Sequence, residues 1–184
     1  MRSISIFGAT GSIGESTFDL IRRAGGAEAY RTVALTGARN VRRLAEMARE
    51  LRAEVAVTAH EAELPALREA LTGSGVEAAA GAAAIAEAAD RPADWVMSGI
   101  VGAAGLVPGM RALRHGGMLA LANKESLVTA GQLLLATAQA HGATILPVDS
   151  EHSAVFQALT GEDGGAVERV IITCLLYTSP SPRD

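Results

Sequence analysis

Ser3-Ile4-Ser5-Ile6-Phe7 runs straight into Gly8-Ala9-Thr10-Gly11-Ser12-Ile13-Gly14, and then into a helical segment over residues 15–23. No other feature of the chain restricts its fold as much. A strand that passes through a glycine-spaced turn into a helix is the opening unit of dinucleotide-binding α/β folds. The glycines allow a tight turn and a close backbone approach to a pyrophosphate. The helix N-terminus offers free N–H groups and the positive end of its dipole. Phe18, Leu20 and Ile21 are expected to form the apolar face of this helix. The spacing is GxxGxxG rather than GxGxxG, so a plain glycine turn is the competing explanation.

The rest of the chain repeats the rhythm. Further strands are expected at residues 31–36, 54–58, 94–98, 118–122 and 144–148, and helices at 41–51, 61–71, 78–89, 110–114 and 126–141. The helix at 78–89 is alanine-rich and broken by Gly81. Strands alternating with helices argue for an α/β fold built on a doubly wound parallel sheet. Right-handed crossovers then put all the strand carboxyl ends on one edge. In the helix at 41–51, Leu44, Ala48 and Leu51 share a face, with Asn40 as N-cap. Arg42, Arg43, Glu46, Arg49 and Arg52 are expected to be its solvated side.

Composition narrows the partners. With 49% hydrophobic and 20% charged residues, the chain can build a core. Its net charge of −4, without a basic stripe, argues against nucleic acid. No apolar run reaches the roughly 18 residues of a membrane span. Met1-Arg2-Ser3 enters a strand at once, which leaves no room for a leader, so a cytoplasmic location is expected. Cys174 is the only cysteine, excluding an intrachain disulfide framework and any multi-cysteine metal site. Lys124 is the only lysine beside fifteen arginines, a compact ammonium where guanidinium is the rule.

Three strand ends carry candidate chemistry. After the strand at 31–36 comes Gly37-Ala38-Arg39-Asn40, with no acid to bind a ribose 2′-hydroxyl. Arg39 can instead pair with a 2′-phosphate, which favours NADP over NAD; an arginine on a solvated loop is the alternative. The strand at 118–122 delivers Asn123, Lys124 and Glu125. The strand at 144–148 delivers Asp149, Ser150, Glu151 and His152. Two carboxylates at a strand end suit a hard, oxygen-seeking cation. Asp149 or Ser150 can equally cap the following helix. The loop at 99–105 either meets a cofactor or is a packing turn. His60 and His115 read as surface or capping residues.

Four blocks, Gly8–Gly14, Ser98–Leu106, Leu121–Val128 and Leu146–Gln157, together resemble 1-deoxy-D-xylulose 5-phosphate reductoisomerases. The resemblance runs from Met1 to about Thr173. It implies a Rossmann-type NADPH-binding domain over 1–148 and the truncated start of a catalytic domain over 149–173. The implied activity is the NADPH- and divalent-metal-dependent rearrangement and reduction of a sugar phosphate to 2-C-methyl-D-erythritol 4-phosphate. Carried over by residue, Thr10, Gly11, Ser12 and Ile13 would cradle the NADPH phosphates. Ala38, Arg39 and Asn40 would hold its adenosine end, and Asn123 and Glu125 would line its site. Lys124, Ser150 and Glu151 would bind substrate, and Asp149 and Glu151 would ligate Mg²⁺, Mn²⁺ or Co²⁺, with Lys124, Asp149 and Glu151 as the catalytic set. Homodimers are the family's form.

Residues 174–184 depart from the family and read as an unrelated, disordered tail. Without the third acidic ligand and phosphate-binding residues that relatives carry further on, little or no turnover is expected. Two other functions fit the turn: another NADP oxidoreductase, such as a semialdehyde dehydrogenase, and a non-catalytic dinucleotide module. The first needs a nucleophilic cysteine, and Cys174 lies in the odd tail.

Overall fold

A computed structural model of the chain describes residues 1–170. The strands are β1 (Arg2–Phe7), β2 (Tyr30–Gly37), β3 (Val55–Thr58), β4 (Glu77–Ala80), β5 (Trp95–Ser98), β6 (Met118–Leu121) and β7 (Thr144–Pro147). All pair in parallel in one sheet of order β4-β3-β2-β1-β5-β6-β7. The chain starts mid-sheet, steps outward to β4, returns to β5 beside β1, and steps outward the other way. The order reverses between β1 and β5, and open α/β sheets bind ligands outside the carboxyl ends at such a reversal. The doubly wound parallel sheet expected from the sequence is therefore present.

Eight helices connect and flank the strands: α1 (Ser12–Arg23), α2 (Gly26–Ala29), α3 (Val41–Glu50), α4 (Leu64–Ala70), α5 (Gly81–Ala89), α6 (Leu106–Leu113), α7 (Lys124–His141) and α8 (Ser150–Leu159). Ile4, Ile6 and Leu35 pack with Phe18 of α1, Leu44 and Met47 of α3 and Leu67 of α4. Phe7, Val33 and Leu119 pack on the other face with Ala88 of α5, Leu113 of α6 and Leu134 of α7. Successive strand side chains point to opposite faces, so β1 feeds both cores. Each fully buried Leu, Ile or Phe stabilises by about 1.5–3 kcal/mol.

The structure corrects four local expectations. The alanine-rich stretch is not one helix: Glu77–Ala80 pairs with β3, from Val55↔Glu77 to Thr58↔Ala80, and α5 begins at Gly81. Alanine's helix preference is worth only tenths of a kcal/mol per residue, whereas pairing satisfies the backbone groups of the β3 edge. Helix α6 begins at Leu106, ahead of the expected residue 110, with Pro108 in its first turn. A proline there removes an N–H that has no helical partner anyway.

On α1 the buried positions are Gly14, Thr17, Phe18 and Ile21, and Leu20 is 68% exposed. That i, i+3, i+4, i+7 stripe leaves Leu20 off the core. Arg43 is not simply solvated. Its Nε and Nη2 donate to the two Glu15 carboxylate oxygens at 2.8 and 2.7 Å, and its guanidinium lies 5.0 Å from the Phe18 ring centroid. The Arg43 hydrogen bond holds the Glu15 carboxyl below the usual range, against the opposing effect of burial.

The tail expected at 174–184, with Cys174, lies outside the described residues. Among the described residues, no helix is long and apolar enough to cross a membrane.

Candidate functional site

Because every strand is parallel, the glycine turn, the 38–40 segment, Lys124 and Asp149 all sit on the carboxyl rim. At the centre, Gly8 turns the chain out of β1 with φ +84°. Its N–H donates to Thr36 Oγ1 at 3.0 Å, and Ala9 N–H donates to the Thr36 carbonyl at 2.7 Å. A Cβ on Gly8 would lie 2.8 Å from the carbonyl carbon and oxygen of Gly99. A Cβ on Gly14 would overlap the carbonyl oxygens of Gly8 and Ala9. The fold itself demands these two glycines.

Gly11 differs. Its φ is −86°, and a Cβ there would meet only the Gly8 oxygen, at 3.4 Å. Gly11 is also the N-cap of α1, with no side-chain cap. Ser12 and Ile13, the next two residues, are exposed. An uncapped helix start behind an open glycine is suited to an anion, since its first N–H groups lack helical partners. Thr10 is half-buried and abuts Gly37, whose ideal Cβ would lie 3.2 Å from Thr10 Oγ1, so the turn adjoins the end of β2.

At that end, Ala38, Arg39 and Asn40 are exposed. Asn40 Oδ1 accepts from Arg43 N–H at 3.2 Å and caps α3, as its position implied. The Thr58 hydroxyl donates to the Ala38 carbonyl at 2.6 Å and fixes the loop. The Arg39 guanidinium has no ion pair among the described residues.

Across the reversal, Gly99 N–H donates to the Phe7 carbonyl at 2.8 Å and joins the two central strand ends. Asn123, 3% exposed, holds the loop that follows. Its Nδ2 donates to the Ile100 and Gly102 carbonyls at 2.6 and 2.8 Å, and its Oδ1 accepts from Ser126 N–H at 3.0 Å. Lys124 and Glu125 follow in the first turn of α7, and both are exposed.

At the end of β7, Asp149 caps α8: Oδ1 accepts from His152 N–H at 3.0 Å and lies 2.7 Å from His152 Nδ1. Burial raises the Asp149 carboxyl, but the His152 amide and imidazole outweigh it and hold it below the usual range. Ser150 is exposed and Glu151 half-buried. The capping alternative is thus realised. β7 lies three strand spacings from β1, about 14 Å along the rim. Among the described residues, no group of three His, Cys, Asp or Glu can hold a metal. Two carboxylates such as Asp149 and Glu151 would by themselves make only part of a hard-cation shell.

His115 lies elsewhere, on the amino-terminal rim, in a cavity of about 480 Å³ with Arg2, Arg31 and Asp94. His60 precedes a short 3₁₀ turn. The supporting roles of Thr36, Thr58 and the Asn123 side chain escaped the sequence. A hydroxyl at the end of a strand was the available signal for the two threonines.

The 1-deoxy-D-xylulose 5-phosphate reductoisomerase family model matches residues 4–131. A protein of that name from Cereibacter sphaeroides (strain KD131 / KCTC 12085) is 82% identical over 173 residues, covering 94% of this chain and 44% of that protein. The solved Zymomonas mobilis reductoisomerase in complex with NADPH superposes with a TM-score of 0.82 at 52% identity, over 85% of this chain and 41% of that one. A reductoisomerase crystallised with NADPH, fosmidomycin and magnesium gives 0.79 at 40% identity, over 88% and 41%. The chain spans less than half the length of these relatives.

Proposed function

This chain belongs to the 1-deoxy-D-xylulose 5-phosphate reductoisomerase family, and on that premise we propose that it forms the NADPH-binding half of an enzyme that rearranges and reduces 1-deoxy-D-xylulose 5-phosphate to 2-C-methyl-D-erythritol 4-phosphate, a step towards isoprenoid precursors. The observation that carries the reading is the uncapped start of α1 behind Gly11, at the strand-order reversal. Two related structures, each in complex with NADPH, support it.

Gly11, Ser12 and Ile13 offer backbone N–H groups to the pyrophosphate, and Thr10 closes the turn beside them. Arg39, flanked by Ala38 and Asn40, meets the 2′-phosphate through charge-assisted hydrogen bonds. Bound NADPH supplies a hydride, and the protein's part is to place it. Glu125 and the loop braced by Asn123 bound the nicotinamide side. Lys124 offers an ammonium to a substrate oxygen. Asp149 and Glu151 are the first two carboxylates of a Mg²⁺, Mn²⁺ or Co²⁺ site, and Ser150 and Glu151 face the substrate. Residues 1–148 form the nucleotide domain, and 149–173 open the catalytic one. A sugar phosphate substrate, a homodimer and a cytoplasmic location belong to the same reading.

Among the described residues the cation shell is incomplete, so on this reading they amount to an NADP-binding module. The chain is expected to bind NADPH and to show no NADPH oxidation with substrate and Mg²⁺. Turnover at the rate of a full-length relative would overturn the second expectation, and absence of NADPH binding would overturn the first.

A further inference from the structure

Asn123 stands where two paired strand ends, those of β5 and β6, pass into the two parts of the site beyond the sheet. One is the loop from Ile100 to Gly105, which leaves β5 at the strand-order reversal. The other is the first turn of α7, which presents Lys124. The Asn123 side chain is buried, with both amide hydrogens and the oxygen engaged. Both amide hydrogens go to loop carbonyls, at 2.6 Å to Ile100 and 2.8 Å to Gly102, and the oxygen receives Ser126 N–H at 3.0 Å. An amide has two donors, and both are in use, so neither is left to grip a ligand. The loop is shaped around this amide: a Cβ on Gly105 would collide with Asn123 Nδ2 and lie 2.7 Å from the Ile100 oxygen.

We propose that Asn123 is a positioning residue whose side chain locks the 100–105 loop onto the N-terminus of α7, and so sets both the nicotinamide-side wall of the cofactor cleft and the placement of Lys124. The inference rests on the NADPH reading above. It assigns the Asn123 side chain an indirect role: the loop and Lys124 meet the ligands, and Asn123 fixes the distance between them. The adenosine side is held independently, by Thr36 and Thr58. In a doubly wound sheet the two nucleotide halves lie on opposite sides of the reversal. Breaking the clamp therefore acts on one half only.

Asn123→Asp keeps the shape and the acceptor for Ser126 but turns a carboxylate towards two carbonyl oxygens. The test measures the affinity of the chain for NADPH and for 2′-phospho-ADP-ribose, which lacks nicotinamide. NADPH binding is expected to weaken by about tenfold or more, as for loss of buried hydrogen bonds. The nicotinamide-free probe is expected to stay within about twofold of wild type. Crowding against carbonyl oxygens raises the introduced carboxyl's pKa, so mild acid protonates it, restores one donor, and recovers part of the NADPH affinity relative to wild type.

Gly105→Ala, which displaces the amide by size alone, should reproduce the selective loss without the acid recovery. Equal weakening of both probes, or unchanged NADPH affinity in a variant whose far-UV dichroism is native, would overturn the clamp. Failure of the wild-type chain to bind NADPH would instead remove the cofactor reading, and the clamp with it.

Discussion

Gly8→Ala and Gly11→Ala separate the part of the glycine turn that the fold requires from the part that a ligand requires. At Gly8, φ is +84°, and a side chain in left-handed backbone costs about 1–2 kcal/mol. The added methyl would lie 2.8 Å from the carbonyl carbon and oxygen of Gly99. Those are backbone atoms, tied to β1 by the Gly99 N–H to Phe7 carbonyl bond. They cannot rotate away, so overpacking adds about 1–3 kcal/mol. Gly8→Ala should therefore lose about 2–5 kcal/mol, a large share of the roughly 5–15 kcal/mol that holds a domain folded.

Gly11 has φ −86° and no neighbour nearer than 3.4 Å. Alanine there should change stability by less than about 1 kcal/mol. On the proposed reading its methyl would fill the space through which a phosphate reaches the start of α1, so NADPH affinity should fall by about tenfold or more. Urea unfolding followed by far-UV dichroism gives the first quantity, and NADPH titration of the folded proteins gives the second. A Gly8→Ala protein that unfolds at the wild-type midpoint would refute the packing argument. A Gly11→Ala protein with wild-type NADPH affinity would refute the phosphate cradle.

Further outcomes follow from other residues. The Arg43–Glu15 pair, with side chains 32% and 37% exposed, should show a coupling of about 0.5–1 kcal/mol in a cycle of Arg43→Met and Glu15→Gln, given its bidentate geometry and partial screening. Glu15 has a depressed folded pKa, so the coupling is present above the unfolded value of about 4.3 and disappears as pH falls through the lower folded value. A coupling that is the same at pH 7 and pH 3 would disprove it. Arg39→Ala should weaken NADPH by about tenfold or more while sparing NADH, and equal loss for both would defeat the 2′-phosphate role. In a protein completed with the rest of a relative's chain, Lys124→Ala should lose substrate binding with its fold retained, and unchanged kinetics would remove Lys124 from the site.

Most of the strand and helix order was legible because fully buried parallel strands read as short apolar runs between helical periods. The exceptions have a common cause. Ala78, Ala79 and Ala80 look helical in isolation, yet they form an edge strand because β3 presents unpaired backbone groups beside them. Leu20 and Arg43 look like core and solvent respectively, and each is the reverse in part. Which side of α1 meets the sheet, and that α3 lies against it, are facts of packing.

The sequence by itself determined which groups stand at the strand ends: an open glycine before a helix, Arg39, Lys124 and the Asp149–Glu151 pair. Local chain direction suffices for that, since a run of residues and the turn after it are adjacent in space as well as in sequence. That these ends share one rim followed from the expected parallel order; only the tertiary structure decided that Gly8 and Gly14 are required by backbone contacts while Gly11 is not, and that Asn123 grips a loop some twenty residues earlier in the chain. Those outcomes depend on distances between distant segments, which exist only once seven strands have taken their order in the sheet.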